Sequence, residues 1–351
     1  MTHPLEELYK DLHAHPELAF HETRTAGIVA EWLRRSGLDV TTGIGVTGVA
    51  GVLRNGEGPT VLLRADMDAL PVREETGLEY ASEAFGVDVD GERVPVMHAC
   101  GHDVHVTCLL GAVERLTLER DTWSGTLVAV FQPGEERGGG AERMIEDGLY
   151  EKVPRPDVVL GQHVSPHPAG MLGAHAGPAF AATDAFSVRL VGRGGHGSRP
   201  ETTVDPVVMA AATVMRLQGV VSREVAGGDS AVVTVGSLHA GTKENIIPGE
   251  ATLGISVRSY TEAVRERVLS AATRIIHAEA EASGAPDPPR IEPTESYPVL
   301  VNDAEATARV MRAFRERFGE AAVLDPGPVT GSEDVGNLAT AAGAPDRKSV
   351  V

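Results

Sequence analysis

Residues 60–68 read Thr-Val-Leu-Leu-Arg-Ala-Asp-Met-Asp, a short apolar run that ends at two carboxylates. Two later runs have the same form, since residues 126–131 lead into Gln132-Pro133-Gly134-Glu135-Glu136 and residues 157–160 lead into Gly161-Gln162-His163. Short, continuous apolar runs are typical of buried strands in a largely parallel sheet with helices on both faces. Because ligands of open α/β sheets bind beyond the carboxyl ends of the strands, we expect these three polar ends to meet at one crevice.

A fourth segment, residues 98–103, carries metal-competent side chains in the order His-Ala-Cys-Gly-His-Asp. A single glycine separates Cys100 from His102, which lets both side chains reach one centre. A thiolate together with imidazoles and carboxylates suits Zn²⁺, with Mn²⁺ and Co²⁺ as the neighbouring choices. We predict a helix over 103–116 with Asp103 as its N-cap, and we expect Cys108, which lies in an apolar context, in the core.

Glu135 and Glu136 lie in a loop shaped by Pro133-Gly134 and by the three glycines at 138–140. Two adjacent carboxylates can divide two tasks, one binding a metal ion and the other serving as a base. The base can take a proton from a water whose pKa the metal lowers to roughly 7. It can then pass that proton to a departing amine, so these residues indicate metal-assisted hydrolysis of an amide.

The composition disfavours several partners. The 351 residues include 31 Lys and Arg against 50 Asp and Glu, a formal net charge of −19, which disfavours nucleic acid and anionic membrane surfaces. Two cysteines cannot form a disulfide framework in a chain of this length, which favours a reducing compartment and a cytoplasmic location. Residues 1–7 do not have the pattern of a signal peptide, and no apolar run is long enough for a membrane helix.

The sequence pattern changes after Gly177-Pro178. Predicted elements then follow in the order β-α-β-β-α-β, the split βαβ arrangement of ferredoxin-like modules. The strands are 185–191, 231–238, 251–259 and 290–295, and the helices are 205–218 and 261–282. We therefore predict an α/β protein with a mixed, largely parallel sheet flanked by helices. A domain over 181–294 is inserted into a first domain over 1–180 and 295–351, in keeping with a length typical of two domains.

Two glycine motifs match the dinucleotide-binding pattern without its structural context. Residues 43–48 lead into a predicted strand, and Ser198-Arg199-Pro200 delays any helix after residues 192–197. The sequence has no Gly-Lys pair for a P-loop and no Gly-x-Ser-x-Gly elbow. Nucleotide chemistry and the usual serine hydrolase site are therefore disfavoured.

Seven motifs together resemble those of peptidase family M20 and occur in that family's order. They are residues 13–18, 64–71, 97–103, 131–136, 194–198, 245–248 and 331–334. The chain is most similar to the amidohydrolase branch that includes hippurate hydrolase, N-acyl-amino-acid amidohydrolases and indole-acetyl-amino-acid hydrolases. The motif that contains Cys100 is specific to that branch.

The resemblance implies a site for two divalent metal ions, Mn²⁺, Zn²⁺ or Co²⁺, in the first domain. The positions that match the family's metal ligands are Cys100, His102, Glu136 and His163. Glu135 matches the general base, and Asp68 matches an acid that orients the site. His196 would hold the developing oxyanion, reaching across from a partner subunit. Asn245 and Arg258 would bind the substrate's carboxylate, although an ordinary strand-end arginine is the alternative for Arg258.

The resemblance also implies that the domain over 181–294 is a lid that mediates homodimerisation and that the substrate is a small N-acyl or N-aroyl amino acid. One departure lies after the motif at 331–334, where the family has a further metal-binding histidine and this sequence has none. We interpret residues 346–351 as foreign to the natural gene and the chain as C-terminally truncated. On that interpretation one metal position lacks a ligand, and one alternative is that a single ion binds tightly.

Three functions remain open from the sequence. The first is a metal-dependent amidohydrolase that cleaves N-acyl amino acids. The second is a catalytically impaired fragment that binds metal through the same ligands and turns nothing over. The third is an aminopeptidase or deacylase of another branch of the family, against which the Cys100 motif argues.

Overall fold

The computed structural model describes residues 3–343 and 348–350. Two compact units are present: a larger unit of residues 1–179, 300–328 and 333–351, and an inserted unit of residues 180–299 and 329–332. The interpretation of residues 346–351 as foreign falls mostly outside the described residues and stays a prediction. Within the described part of the chain, none of the helices combines the length and the apolar character that crossing a membrane requires.

Helices and strands alternate along most of the chain. The α-helices are α1 (Pro4–Ala14), α2 (Thr23–Arg35), α3 (His102–Leu118), α4 (Gly140–Glu146), α5 (Leu149–Lys152), α6 (Pro206–Glu224), α7 (Glu262–Ala282), α8 (Ala304–Phe318) and α9 (Val335–Ala341). The strands are β1 (Asp39–Ile44), β2 (Gly48–Asn55), β3 (Thr60–Asp66), β4 (Phe85–Val87), β5 (Arg93–Pro95), β6 (Gly125–Gln132), β7 (Val158–Gly161), β8 (Leu172–Gly173), β9 (Gly177–Phe180), β10 (Ala182–Val191), β11 (Gly195–His196), β12 (Ala231–Ala240), β13 (Ile246–Ile247), β14 (Glu250–Ser259), β15 (Arg290–Tyr297), β16 (Leu300–Asn302), β17 (Val323–Leu324) and β18 (Lys348–Val350).

The larger unit contains a six-stranded mixed sheet in the order β1-β2-β6-β3-β7-β18. Strand β2 is antiparallel to both of its neighbours, whereas β6, β3, β7 and β18 run parallel. The strand predicted at residues 60–65 is β3, and those predicted at 126–131 and 157–160 are β6 and β7. The α/β fold with a mixed, largely parallel sheet is confirmed, and the carboxyl ends of β3, β6 and β7 lie at one edge.

Apolar side chains cover both faces of this sheet. On one face, residues of α1, α2 and α3 pack against alternate residues of β6 such as Leu127 and Phe131. Val128 and Val130 point the other way and are also fully buried, on the face where α4 contacts β6. Burying one such side chain stabilises the fold by about 1.5–3 kcal/mol. Because successive side chains of a strand point to opposite faces, each face of the sheet offers its helices a separate set of apolar side chains.

Two predictions about α3 were wrong. The helix begins at His102 after Gly101, whose φ of +81° is the left-handed conformation, so Asp103 lies inside the first turn and is not the N-cap. The carboxylate of Asp103 contacts His13 instead. Cys108 is exposed, because it lies on the outward stripe of α3 while Leu109 and Leu110 point into the core.

The inserted unit has an antiparallel sheet in the order β12-β14-β10-β15, with α6 and α7 packed on one face. Its element order, β10-α6-β12-β14-α7-β15, is the predicted split βαβ arrangement. Strand β15 continues past residue 294, and the unit extends to Val299, a few residues beyond the predicted boundary. The assignment of a catalytic role to the larger unit and a lid role to the inserted unit stays a prediction.

Candidate metal centre

Metal-competent side chains from separate segments meet in the larger unit. Cys100 and His102 flank Gly101 at the start of α3, Glu135 and Glu136 follow β6, and His163 follows β7. Ligand atoms of Cys100, His102 and His163 lie within 4.8 Å of one another, and so do those of His102, Glu135 and Glu136. His102 belongs to both groups, so the strand ends and the start of α3 converge on one imidazole.

The donor atoms fit divalent metal ions. The Sγ atom of Cys100 lies 3.9 Å from Nε2 of His163, and Nε2 of His102 lies 3.8 Å from Oε1 of Glu136. Both ring nitrogens of His102 and Oε1 of Glu136 are buried and have no hydrogen bond to any described residue. Leaving one such group unsatisfied costs roughly 1–3 kcal/mol. A cation bound by thiolate, imidazole and carboxylate would remove that cost.

Asp68 links two of these candidate ligands. Its Oδ2 accepts a hydrogen bond of 2.9 Å from the backbone N–H of Glu136, and its Oδ1 lies 3.4 Å from Nδ1 of His102. Burial lowers the pKa of His102, but the carboxylates of Asp66 and Asp68 outweigh burial and raise that pKa well above its usual value. Asp68 therefore contacts both the imidazole of His102 and the backbone of Glu136, and its role in orienting the site stays a prediction.

The two neighbouring glutamates have different surroundings. Burial raises the pKa of Glu135 well above its usual value, and the nearby carboxylates of Glu333 and Asp334 raise it further. Burial also raises the pKa of Glu136, although His102 and Cys100 oppose that effect. Glu136 thus faces the thiol and imidazole donors, whereas Glu135 lies among other acids.

The sequence interpretation missed Glu22, a buried carboxylate. It binds the loop after β6 that carries Glu135 and Glu136. Glu22 accepts hydrogen bonds of 2.9 Å from the backbone N–H groups of Phe20 and Gly134 and another from the hydroxyl of Thr47. Gly134 has a φ of +61°, and a Cβ there would lie 2.3 Å from the ring of Phe20. The only sequence signal was the glycine next to Glu135, because Glu22 is 112 residues away.

Arg64 was missed as well. Its guanidinium is buried and binds Asp66 at 2.6 Å, Glu333 at 2.8 Å and Asp334 at 3.2 Å. Asp334 also accepts hydrogen bonds from Gln132 and from the backbone of Ala141. Although ligand atoms of Glu135, Glu333 and Asp334 also lie within 4.8 Å of one another, the guanidinium already supplies the positive charge there, so this group does not fit a metal ion as well as the first two.

The remaining predicted residues lie in the inserted unit. His196 is exposed on β11, and its Nδ1 accepts a hydrogen bond of 3.2 Å from the backbone N–H of Ser198. The residue pairs with Ile246 of β13, next to Asn245. Arg258 donates a 2.6 Å hydrogen bond to the carbonyl of Thr330, a contact that favours the alternative of an ordinary strand-end arginine. The roles of these residues stay predictions.

Residues 62–350 match the description Peptidase family M20/M25/M40. The chain belongs to this family. The resemblance found in the motifs is therefore confirmed, and so is the predicted enzyme class, a metallo-amidohydrolase.

Relatives in this family are similar over most of the chain. It is 38% identical over 333 residues to thermostable carboxypeptidase 1 of Saccharolobus solfataricus, covering 93% of this chain and 81% of that protein. It is 39% identical over 334 residues to hippurate hydrolase of Campylobacter jejuni, covering 94% and 84%. Among solved structures, the Bacillus subtilis YXEP protein, a dinuclear metal binding peptidase from the M20 family, matches with a TM-score of 0.77 and 28% identity, covering 99% of this chain and 87% of that one.

Proposed function

We propose that this enzyme hydrolyses the amide bond of N-acyl or N-aroyl amino acids, with Glu135 as the general base. The observation that carries the proposal is the meeting of four metal-competent side chains, Cys100, His102, Glu136 and His163, beside one further buried carboxylate. Those four would hold two divalent ions, Mn²⁺, Zn²⁺ or Co²⁺. Bound there, such ions would polarise the amide carbonyl and make the attacking water more acidic.

Glu135 would move the proton. Its carboxylate takes a proton from the attacking water and returns it to the nitrogen of the leaving amine. A carboxyl whose pKa is raised by burial and by neighbouring acids suits both steps, because it is basic enough to accept the proton and acidic enough to release it. Asp68 would orient Glu136 through its backbone N–H and His102 through its ring.

The inserted unit of a partner subunit would supply the oxyanion contact. Because an N–H group can only donate, the bond from Ser198 makes Nδ1 of His196 an acceptor and leaves the proton on Nε2. That N–H would stabilise the developing oxyanion. Asn245 and Arg258 would bind the substrate's carboxylate. For Arg258 the alternative is an ordinary strand-end arginine.

A homodimer through the inserted unit is part of the proposal. Strand β12 lies at the edge of its sheet, and Val232 and Leu238 on it are exposed. The exposed apolar side chains of Val208 and Met215 lie on α6 of the same unit. An edge strand with apolar side chains is a surface that a second copy can cover. The cytoplasmic location remains a prediction.

The relatives suggest the substrate class and one alternative. Hippurate is N-benzoylglycine, and a carboxypeptidase also cleaves an amide whose amine side carries a free α-carboxylate. The two relatives named above therefore share the chemistry of an acylated amino acid. A carboxypeptidase acting on short peptides is the second candidate function, favoured by the relative from Saccharolobus solfataricus.

The test is hydrolysis by the purified protein loaded with Mn²⁺, Co²⁺ or Zn²⁺. Substrates are N-benzoylglycine, N-acetyl amino acids and N-blocked dipeptides, which separate the two candidates. Glu135→Ala should abolish turnover and leave the metal content unchanged, whereas the matched variant Glu136→Ala should lower the metal content. A fully active Glu135→Ala would show that the base is assigned wrongly, and metal binding without any turnover would favour the impaired fragment.

A further inference from the structure

His105 is a buried imidazole that the proposed reaction does not use. It lies on α3 one turn after His102 and is fully buried. Its ring is 5.3 Å from that of His102 and 4.7 Å from that of His163, measured between centroids. His105 therefore packs against two of the candidate metal ligands at once.

Both ring nitrogens of His105 are engaged, and their partners determine its tautomer. Nε2 lies 2.9 Å from the backbone nitrogen of Val164, whose N–H can only donate, so Nε2 has no proton. The proton must then lie on Nδ1, which is 2.6 Å from Oδ1 of Asp66. Asp66 is held in turn by Arg64 at 2.6 Å through its other oxygen.

Val164 connects His105 to His163 through its backbone. The carbonyl oxygen of Val164 lies 2.6 Å from Nδ1 of His163 and can only accept, so Nδ1 of His163 carries the proton. The lone pair of His163 is then on Nε2, the atom 3.9 Å from Sγ of Cys100. Val164 is thus positioned by the hydrogen bond from its N–H to His105, and its carbonyl sets the tautomer of His163.

We propose that His105 is a positioning residue that presents Nε2 of His163 to the metal centre through the backbone of Val164. This inference rests on the proposed function, because it assumes that His163 binds a metal ion. Ligand atoms of Asp66, His102 and His105 also lie within 4.8 Å of one another. His105 is nevertheless not a ligand, since neither of its nitrogens has a free lone pair. Partners that orient a ligating histidine in this way typically change metal affinity 10–100-fold when mutated.

Two variants of similar size separate the two sides of the ring. His105→Gln keeps an acceptor that reaches Val164, and His105→Asn keeps a group near Asp66 but does not reach Val164. Co²⁺ binding is followed through the absorption of the Cys100 thiolate, and the tautomer of His163 is followed by ¹⁵N NMR of the metal-free protein. We expect His105→Asn to weaken Co²⁺ binding by 10–100-fold and His105→Gln by less than about tenfold, with the Nδ1-protonated tautomer of His163 lost only in the former.

A second pair tests the same contact where folding is less at risk. Val164 has an exposed side chain, so Val164→Pro removes the N–H without touching the core, and Val164→Ala keeps it. Val164→Pro should reproduce the loss seen in His105→Asn, and Val164→Ala should bind Co²⁺ as the unsubstituted protein does.

The outcomes distinguish this inference from the proposed function. Equal Co²⁺ affinity and an unchanged His163 tautomer in His105→Asn and Val164→Pro would overturn the inference while leaving the metal centre intact. If the unsubstituted protein gave no thiolate-to-Co²⁺ absorption, the metal centre and the inference would both fail.

Discussion

At the scale of the residue, Arg64 is one buried cation among several carboxylates. It binds Asp66, Glu333 and Asp334 with a side chain that is 1% exposed. Burial and, to a lesser extent, the carboxylate of Glu333 together raise the pKa of Asp334 to about 7, against the opposing effect of Arg64. Removing one partner of a buried ion pair leaves uncompensated charge, which is costlier than losing an exposed pair.

Arg64→Met should therefore lower the free energy of unfolding by about 3–5 kcal/mol at pH 7. The matched control is Arg54→Met, which loses an ion pair with Asp39 whose side chains are 60% and 85% exposed, and it should cost less than about 1 kcal/mol. Urea unfolding of the metal-free protein measures both. The deficit of Arg64→Met should shrink at pH 5, where Asp334 is protonated; equal costs for the two variants would contradict this account.

At the scale of the element, the loop after β6 depends on a close approach of its backbone to Phe20 and Glu22, which directly precede α2. Gly134→Ala would place a Cβ 2.3 Å from the ring of Phe20, in a residue with a φ of +61°. We expect a cost of about 2–4 kcal/mol from strain and overpacking and at least a tenfold lower kcat, because Glu135 is the next residue.

The control for this loop is Gly139→Ala. Gly139 has a φ of +82°, but a Cβ there meets nothing closer than 4.0 Å. This variant should lose only about 1–2 kcal/mol of stability from backbone strain and keep its kcat. Urea unfolding and steady-state kinetics decide; if both variants lost kcat equally, strain and not the contact with Phe20 would be responsible.

The packing of α1 on α3 includes a pH-dependent contact. His13 of α1 binds Asp103 of α3 at 2.6 Å and Glu74 at 3.1 Å, with Tyr9 and Tyr80 against its ring. The hydrogen bond to Asp103, with a further contribution from Glu74, raises the pKa of His13 to about 9 despite the opposing effect of burial. A histidine whose pKa is higher in the folded than in the unfolded protein stabilises the fold only while it is protonated.

The stabilisation from His13 should be complete below pH 6.5 and lost as the pH rises to about 9. The loss is on the order of 3 kcal/mol. Urea unfolding of the metal-free protein at pH 6, 7.5 and 9.5 measures this loss. In His13→Gln the free energy of unfolding should fall less steeply with pH, because the contribution of His13 is absent. The comparison isolates His13 from other groups that titrate in the same range; identical slopes for the two proteins would refute the assignment.

At the scale of the whole molecule, the two units have separate hydrophobic cores, and the candidate metal ligands all lie in the larger unit. A metal ion that binds only the folded larger unit stabilises it by about 2.7 kcal/mol at 100 times its Kd. For a unit of this size that corresponds to a rise in Tm of roughly 5–10 °C. The inserted unit contributes no candidate ligand and should melt as before.

Calorimetry with excess Co²⁺ or with a chelator tests this division. The metal should raise the transition of the larger unit and leave that of the inserted unit unchanged. Leu253→Ala, which opens a cavity in the inserted unit's core, identifies the second transition by lowering it. Equal shifts of both transitions on adding metal would show that the units do not respond separately.

Local sequence patterns predicted much of the fold and the candidate ligands. The apolar runs of β3, β6 and β7 marked parallel strands, and the polar residues at their ends marked one edge of the sheet. In the Cys-Gly-His motif, the single glycine between Cys100 and His102 indicated that both side chains can reach one centre. The wrong N-cap of α3 arose where local preference competes with tertiary contacts, because Gly101 takes the left-handed conformation at the start of the helix and Asp103 binds a histidine from α1.

The sequence by itself determined which residues could bind a metal ion, because residue type and short spacing are local properties. Apart from Asp68, which the family resemblance implied, only the tertiary structure decided which side chains pack around them. Arg64 and Glu333 are 269 residues apart, Glu22 and Gly134 are 112 apart, and His105 and Val164 are 59 apart. No periodicity or motif reports a hydrogen bond across such distances, because the partners become neighbours only when the burial of apolar surface folds the chain.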